Sequence, residues 1–314
     1  MNLIRPTGGK IIKAAPDMPT SLPSGNRPGS VLSLDSVVNA LADTLVLPDK
    51  KSSPKESIDA FTFYIYGYQK IGKTSFTSMF PDACHIFYEP SGEDYELFSF
   101  EPQSWDHFKA FIVKCEREKL AGTLRYKNFT IDVVDQCFEQ CLKAVCARGG
   151  TDHPPNDYGK TWDKIGDEFR IWIHRLARIG GLIVISHAKE AEIERADGQT
   201  YSSVIPTCKN KCHLVLAKFC TMTGYYHVNS RSERMLGIIP NNIYEAGNRF
   251  RNHFMYKDTG EKISFVPMGS SEQEAYRNFR MAFDNLLPKP EETANEIQPT
   301  TGKKNPFTLR RSVL

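Results

Sequence analysis

The stretch Phe61-Thr-Phe-Tyr-Ile-Tyr-Gly67-Tyr-Gln-Lys-Ile-Gly72-Lys73-Thr74 decides the fold of this chain. Its first half is apolar and aromatic, as a buried strand is, and its second half reads G-x-x-x-x-G-K-T. A segment compatible with a helix follows at residues 75–80. A strand, a glycine-bracketed loop and a helix in this order form a phosphate-binding loop. The stretch therefore predicts a nucleoside triphosphate site.

Each residue type in this loop has a chemical reason. Gly67 and Gly72 let the backbone turn tightly and bring its N–H groups close to phosphate oxygens, and the start of the helix adds further donors. Lys73 can reach the β- and γ-phosphates, and the Thr74 hydroxyl can ligate Mg²⁺. We therefore predict ATP and Mg²⁺ as ligands. The loop residues expected to bind the nucleotide are Gly67, Tyr68, Gln69, Lys70, Ile71, Gly72, Lys73, Thr74 and Ser75.

The composition of the 314 residues is that of an ordinary globular protein, with 40% hydrophobic and 25% charged residues. A net charge of +3 permits a nucleic-acid partner without arguing for one. No apolar run has the length of a membrane span, and no signal peptide is evident, so we expect a cytoplasmic protein without a membrane partner. The eight cysteines form no C-x-x-C pair, and we expect free thiols rather than a metal site.

Composition divides the chain into three parts. Residues 1–57 are rich in proline, glycine and serine and predict a flexible arm. Within the arm, residues 33–47 have the apolar spacing of a short amphipathic helix, which could dock on the chain's own core or on a neighbouring subunit. Residues 58–288 form the predicted core. Residues 289–314 predict a disordered, basic tail.

Within the core, apolar strand segments alternate with helical segments. This alternation predicts an α/β fold with a mainly parallel sheet and helices on both faces. The pattern changes after residue 187, where a hairpin and two short strands with little room for helices predict an antiparallel extension. A helix at 271–287 closes the core. The strands are expected at residues 61–66, 83–88, 129–135, 182–187, 191–195, 201–205, 219–228 and 234–239.

Polar residues follow several of these strands. Asp132 ends an apolar run and is the candidate for holding Mg²⁺, whereas Asp135 is read as an acid in the first turn of the next helix. Glu89 follows the second strand and is a candidate base for the attacking water, although it could be an exposed loop acid. Ser186 and His187 end the fourth strand, where they could sense the γ-phosphate or serve a structural role.

These motifs together resemble the phage-encoded, RecA-like P-loop ATPases, a group of phage nucleotide-binding AAA-type proteins that includes relatives of phage single-strand annealing recombinases. The resemblance covers roughly residues 60–255. It implies a RecA-like ATPase core in which Asp132 holds Mg²⁺, Glu89 is the catalytic carboxylate and His187 is the sensor. It also implies that Arg249 is a catalytic residue near a phosphate, either in its own chain or across a subunit boundary in an oligomer. The segments that carry it are 67–74, 87–92, 129–132, 158–162, 167–169, 181–190 and 245–249.

The resemblance further implies a function in DNA recombination, repair or replication, in the cytoplasm of the phage host, with single-stranded DNA and a homo-oligomer as the expected partners. Candidate DNA contacts lie in residues 187–211, which could equally be a solvated surface loop. Either tail could bind a single-strand-binding or replication protein. Two alternatives stay open, a P-loop nucleotide kinase and an assembly scaffold without significant turnover. The candidate DNA contacts are Lys189, Arg195, Tyr201, Lys209 and Lys211.

Overall fold

A computed structural model describes residues 38–39, 41–194, 198 and 200–290 of the chain. The chain divides into two units, Met1–Pro54 and Lys55–Leu314. A ten-stranded sheet, counted over the described residues, lies in the second unit. Residues 291–314 of the predicted tail and most of the predicted arm fall outside the described residues.

Six α-helices accompany the strands in the described part of the second unit, after a short 3-10 helix at Ile58–Ala60. The strands are β1 Thr62–Gly67, β2 Ala83–Phe87, β3 Phe98–Phe100, β4 Asn128–Asp132, β5 Gly181–Glu194, β6 Thr200–Pro206, β7 Met222–Val228, β8 Arg234–Gly237, β9 Gly247–Asn248 and β10 Phe265–Pro267. The helices are α1 Lys73–Ser78, α2 Trp105–Ala121, α3 Val134–Arg148, α4 Lys160–Ile179, α5 Asn210–Phe219 and α6 Glu272–Phe283.

The strands run in the order β10-β8-β7-β1-β5-β4-β2-β3 across the sheet. Strands β7, β1, β5, β4, β2 and β3 are parallel, while β8 and β10 continue the sheet in antiparallel pairing. The predicted α/β fold, with a mainly parallel sheet between helices and an antiparallel extension, is confirmed. The predicted hairpin is also present, since the second half of β5 pairs antiparallel with β6 and leaves the main sheet as a two-stranded ribbon.

The segment after this ribbon differs from the prediction. Residues 210–219 form helix α5, where little room for a helix was predicted, and strand β7 begins only at Met222. Cys212 and Leu216 lie four residues apart on α5 and are both fully buried, which gives the helix its inner face. Because α5 returns the chain to the opposite edge of the sheet, β7 pairs in parallel with β1 instead of starting the antiparallel extension.

Alternating side chains of the strands fill two cores, one on each face of the sheet. On β1, Tyr64 packs in the core beneath α2, α3, α4 and α5, while Phe63 and Ile65 pack in the core beneath α1 and α6. Such alternation follows from the two-residue repeat of a strand. The sheet is thus covered by helices on both faces, and its carboxyl edge stays open for a site.

Gly67, the last residue of β1, lies directly against strand β7. A methyl group built on its α-carbon would lie 2.3 Å from the carbonyl oxygen of Tyr226, which is inside any van der Waals contact. We therefore expect Gly67→Ala to lower the free energy of unfolding by about 1–3 kcal/mol, as overpacking does. Chemical denaturation measures this loss. Gly247→Ala is the matched control because its added methyl group would have no neighbour within 4 Å. Equal unfolding midpoints for the two variants would contradict the packing.

The predicted amphipathic helix at 33–47 lies only partly within the described residues. Residues 38–39 and 41–42 are helical, and the apolar side chains there are exposed, with Val38 at 55% and Leu41 at 59% of their possible surface. Whether this segment docks on its own core or on another subunit stays a prediction. None of the described helices combines the length and the apolar character that crossing a bilayer requires.

Candidate active site

The loop at residues 67–74 turns from β1 into α1 at the carboxyl edge of the sheet. Gly72 precedes the helix with φ = 104°, a conformation that favours glycine. The Nζ atom of Lys73 donates hydrogen bonds to the carbonyl oxygens of Gly67 (2.8 Å) and Tyr68 (2.7 Å). The amine therefore lies across the mouth of the loop, where an incoming phosphate group would meet it.

Lys73 is 6% exposed, and this burial lowers the pKa of its amine from 10.5 to about 8. The carboxylates of Asp132, Asp135 and Glu89 oppose the shift without cancelling it. Burial disfavours the charged form of an amine because a charge loses its hydration there. In the nucleotide-free protein, Lys73 thus titrates close to physiological pH, and bound phosphate would restore its proton.

This pKa predicts how ATP affinity depends on pH. Below about pH 7 the amine is protonated before and after binding, whereas above pH 8 the free protein must take up a proton to bind. We expect the Kd for ATP to be about tenfold higher at pH 9 than at pH 7, with proton uptake on binding at pH 9. Calorimetric titration in buffers of different ionisation enthalpy measures both quantities. Lys73→Met should lack this dependence, and a wild-type Kd equal at the two pH values would contradict the prediction.

Thr74 and Asp132 bring two oxygen ligands together beside the loop. The Thr74 hydroxyl donates a hydrogen bond to Asp132 Oδ2 at 2.6 Å, and the hydroxyl of Ser91 lies 3.4 Å from that of Thr74. Asp132 is 5% exposed; burial raises the pKa of its carboxyl, while the Thr74 hydroxyl and the nearby Lys73 act against this rise. The predicted pairing of Thr74 with Asp132 is therefore present in the structure.

These oxygens suit Mg²⁺, which prefers hard oxygen ligands and takes most of them from water and phosphate. Within the described ranges, no three His, Cys, Asp or Glu side chains gather as an all-protein metal site. A site with one hydroxyl and one carboxylate therefore fits a magnesium ion that arrives with a nucleotide and is shared with its phosphates.

Glu89 and His187 meet at the same edge of the sheet. Glu89 follows β2, and His187 lies on β5 opposite Gly67 of the loop. Their side chains approach to 3.2 Å between His187 Nε2 and Glu89 Oε2. The other ring nitrogen of His187, Nδ1, is buried and has no hydrogen-bond partner among the described residues. The two side chains predicted to act on the γ-phosphate thus contact each other.

Asp135 has a larger role in the structure than the sequence analysis assigned to it. It lies in the first turn of α3, as expected, but its carboxylate also accepts two hydrogen bonds from hydroxyl groups. Ser186 donates to Oδ2 at 2.7 Å, and Thr207 donates to Oδ1 at 2.6 Å. Thr207 follows β6 and was not anticipated from the sequence. This network ties the end of the ribbon to the strand that carries His187.

Two further contacts beside the loop were not predicted from the sequence. The hydroxyl of Tyr95 donates to Ser75 Oγ at 2.8 Å, and Ser91 contacts Thr74 as described. Both residues belong to the segment between β2 and β3, which folds back over the start of α1. Their spacing from Glu89 follows no pattern that sequence reasoning could have used, because the segment has no regular secondary structure.

The structure does not bring Arg249 to this site. Its guanidinium donates to the carbonyl oxygens of Ala217 (3.2 Å) and Lys218 (2.6 Å), and its backbone N–H bonds the carbonyl of Thr221 (2.9 Å). Thr221 precedes β7, so Arg249 lies at the amino edge of the parallel strands, away from the phosphate loop of its own chain. A contact with the nucleotide of a neighbouring subunit stays a prediction.

Comparison with known proteins gives one family match. The model of a family described as an AAA domain matches residues 59–250, which is more than half of the chain. The match begins just before β1 and ends beyond β9, so it contains the loop, Asp132, Glu89 and His187. No curated protein matches the sequence.

Proposed function

Since this chain belongs to the AAA domain family, we propose that it binds ATP with Mg²⁺ at residues 67–74 and hydrolyses the terminal phosphate. One observation carries the proposal. At a single sheet edge, the chain gathers a buried cation (Lys73), a hydroxyl–carboxylate pair (Thr74 and Asp132) and a carboxylate–imidazole pair (Glu89 and His187). These are the groups that phosphoryl transfer to water requires.

In this mechanism, Lys73 exchanges its two carbonyl partners for oxygens of the β- and γ-phosphates. Thr74 and Asp132 would hold Mg²⁺, and the ion would supply positive charge against the charge that develops on the phosphates. The exchange costs little because the amine is already in place and needs no large movement. Its depressed pKa rises again when phosphate replaces the carbonyl groups, since a nearby negative charge favours the protonated amine.

Glu89 is placed to accept a proton from the attacking water, and His187 orients it from β5. A change in the hydrogen bonding of His187 has a direct route to the ribbon, because β5 continues from His187 to Glu194 without a break. The contact of Tyr68 with Glu190 on the same strand, at 3.3 Å between the hydroxyl and a carboxylate oxygen, gives the loop a second link to the ribbon.

We further propose the finer identity that the sequence resemblance implies, a phage-encoded, RecA-like ATPase that acts in DNA recombination, repair or replication as a homo-oligomer. Single-stranded DNA is the proposed partner of the ribbon, and the support is the continuity of β5 from the site into it. The positive charge available there is smaller than the sequence suggested. Lys209 pairs with Glu139 at 2.6 Å and Lys211 pairs with Asp163 at 2.5 Å, while Arg195 lies outside the described residues. Among the described candidates, Lys189 is therefore the basic contact that carries this proposal.

A steady-state assay of phosphate release with MgATP tests the proposal. We expect turnover by the chain alone and faster turnover when a single-stranded oligonucleotide is added. Lys189→Ala should abolish the stimulation and leave the basal rate unchanged. Turnover that the oligonucleotide does not stimulate would support ATP hydrolysis and contradict single-stranded DNA as the partner. ATP binding with no phosphate release would contradict hydrolysis and favour the scaffold alternative.

The kinase alternative has weaker support in the structure. A nucleotide kinase needs a lid with basic residues over the phosphates. The candidate lid, residues 148–160, carries a basic residue only at each end, and Arg148 forms an ion pair with Glu168. Phosphate transfer that appears only with a small acceptor would nevertheless identify a kinase in the same assay.

A further inference from the structure

Arg234 stands beside the phosphate loop and has no role in the mechanism above. It begins β8 and pairs with Val228, the last residue of β7. Because β7 runs parallel to β1, the end of β7 and the start of β8 lie at the same edge of the sheet as Gly67. The hairpin between the two strands therefore positions Arg234 beside the loop, on the side opposite to β5, β4 and β2.

The distances place Arg234 and Tyr226 against the second glycine of the loop. A methyl group built on Gly72 would lie 3.6 Å from Arg234 Nη1 and 3.7 Å from the hydroxyl oxygen of Tyr226. Both polar groups therefore face the backbone that bends around a phosphate. The side chains of Asp132, Glu89 and His187 approach the loop from the other side, since they lie at the end of β4, just after β2 and on β5.

Neither polar group has a carboxylate or carbonyl acceptor within the part of the chain that the structure describes. Arg234 takes no part in the ion pairs found there. Tyr226 is fully buried, and its hydroxyl has no hydrogen-bond partner among the described residues. Burial raises the pKa of this hydroxyl to about 12, against the lowering effect of the Arg234 guanidinium. A buried polar group without a partner lowers the stability of the fold. The Arg234 guanidinium has no carboxylate partner in the described part of the chain and lies beside a phosphate-binding loop, so it favours an anionic ligand.

The backbone that carries Arg234 is held in place by its own turn. Asn229 Oδ1 accepts hydrogen bonds from the backbone N–H groups of Arg231 and Glu233, both at 2.9 Å. The carbonyl of Arg234 accepts a hydrogen bond from the N–H of Met268 at 2.8 Å. The backbone position of Arg234 is therefore fixed before any ligand binds, which reduces the entropic cost of binding.

We propose that Arg234 and Tyr226 bind the phosphate chain of the nucleotide on the nucleoside side of Gly72. This inference rests on the nucleotide site proposed above and adds a second cation, from the same chain, to that site. Since the metal and Glu89 act on the opposite side of the loop, Arg234 contributes to the affinity for ATP and ADP alike. It makes no separate contribution to the hydrolysis step.

The test compares nucleotide affinities of matched variants by calorimetric titration. We expect Arg234→Ala to weaken the binding of ATP and of ADP by a similar factor, about tenfold to a hundredfold, because a charge-assisted hydrogen bond is lost. Arg234→Lys should recover part of the loss. Arg231→Ala removes an equal charge from the exposed turn of the same hairpin and should bind both nucleotides like the wild type. The affinity for inorganic tripolyphosphate, measured by competition, should fall by the same factor in Arg234→Ala.

Tyr226→Phe gives an independent readout that does not depend on removing a charge. It keeps the ring that packs near Phe76 and deletes only the unpartnered hydroxyl. We expect a loss of ATP affinity of about twofold to tenfold. The unfolding midpoint should change little, because the Arg234 guanidinium is the one polar group that acts on this hydroxyl in the nucleotide-free protein, among the described residues.

Several outcomes would overturn the inference. One is that Arg234→Ala binds ATP and ADP as tightly as the control Arg231→Ala does, with an unchanged melting temperature. Another is an affinity of Arg234→Ala for tripolyphosphate that equals that of the wild type. This result would indicate that Arg234 contacts the base of the nucleotide and not its phosphates. A third is a lowered kcat with unchanged affinities. A wild-type chain that binds ATP and ADP without releasing phosphate would contradict only the hydrolase proposal, whereas one that binds neither nucleotide would contradict both.

Discussion

Replacing Glu89 with glutamine is expected to lower the rate of ATP hydrolysis by a factor of about 10²–10⁴ while ATP still binds. Glutamine keeps the shape of the side chain and its contact with His187, but its neutral amide cannot accept a proton from water. The affinity should change little, because Glu89 lies 37% exposed beyond the loop and does not bond to it. Single-turnover hydrolysis and equilibrium binding of ATP measure the two quantities separately.

Glu93→Gln is the matched control, since Glu93 is an exposed acid in the segment that follows Glu89. It should hydrolyse ATP at the wild-type rate. A Glu89→Gln protein with the activity of Glu93→Gln would rule out Glu89 as the base. A loss of ATP binding in Glu89→Gln would instead indicate that the carboxylate supports the metal, and the assignment of roles in the site would have to change.

Replacing Lys73 with methionine is expected to weaken ATP binding by about a hundredfold, as removal of a charge-assisted contact inside a protein does. Methionine fills much of the same volume without the charge. Hydrolysis should then be undetectable at ATP concentrations that saturate the wild type. Calorimetric titration gives the affinity, and thermal melting separates it from stability, because the carbonyls of Gly67 and Tyr68 also lose a hydrogen-bond donor.

Lys114→Met removes the same charge from the exposed face of α2, where the Lys114 side chain is 72% exposed and pairs with Glu118. Its affinity for ATP should equal that of the wild type. Equal affinities of Lys73→Met and the wild type would mean that the loop does not hold the triphosphate, and the proposed function would fail with it.

Local patterns were enough to predict the centre of this site. The glycine spacing at residues 67–74 determines a backbone turn, and an acid such as Asp132 directly after an apolar run must lie at the carboxyl edge of a parallel sheet. The same rule brought Glu89 and His187 to that edge, although they are far apart in sequence. Their direct contact at 3.2 Å was not predicted, because rotamers and the paths of loops decide it.

Sequence reasoning failed where the outcome depends on long-range pairing. Helix α5 was missed because Lys209 and Lys211 made its start look like an exposed basic loop, whereas both lysines form ion pairs with neighbouring helices. Its omission also hid the parallel pairing of β7 with β1. The consequence extends to Arg249, since the path of the chain after β7 puts that residue at the opposite edge of the sheet from the loop.

Residues without a motif could be recognised only from the structure. Asp135 looked like a simple first-turn acid of α3, yet it joins Ser186 and Thr207 in one network. Arg234 begins a short strand and has no neighbour in sequence that marks it, and only the β7–β8 hairpin brings it to Gly72. Such contacts between distant segments follow from the register of the sheet, which the sequence does not state locally.

The central claim is that the edge formed by the loop, Asp132 and Glu89 hydrolyses ATP. The most direct test mixes excess purified chain with Mg²⁺ and ATP labelled at the γ-phosphate and follows the label over a single turnover. We expect wild-type protein to release labelled phosphate, Glu89→Gln to retain intact bound ATP, and Lys73→Met to bind almost no ATP. Intact ATP that persists on the wild-type protein would contradict the claim.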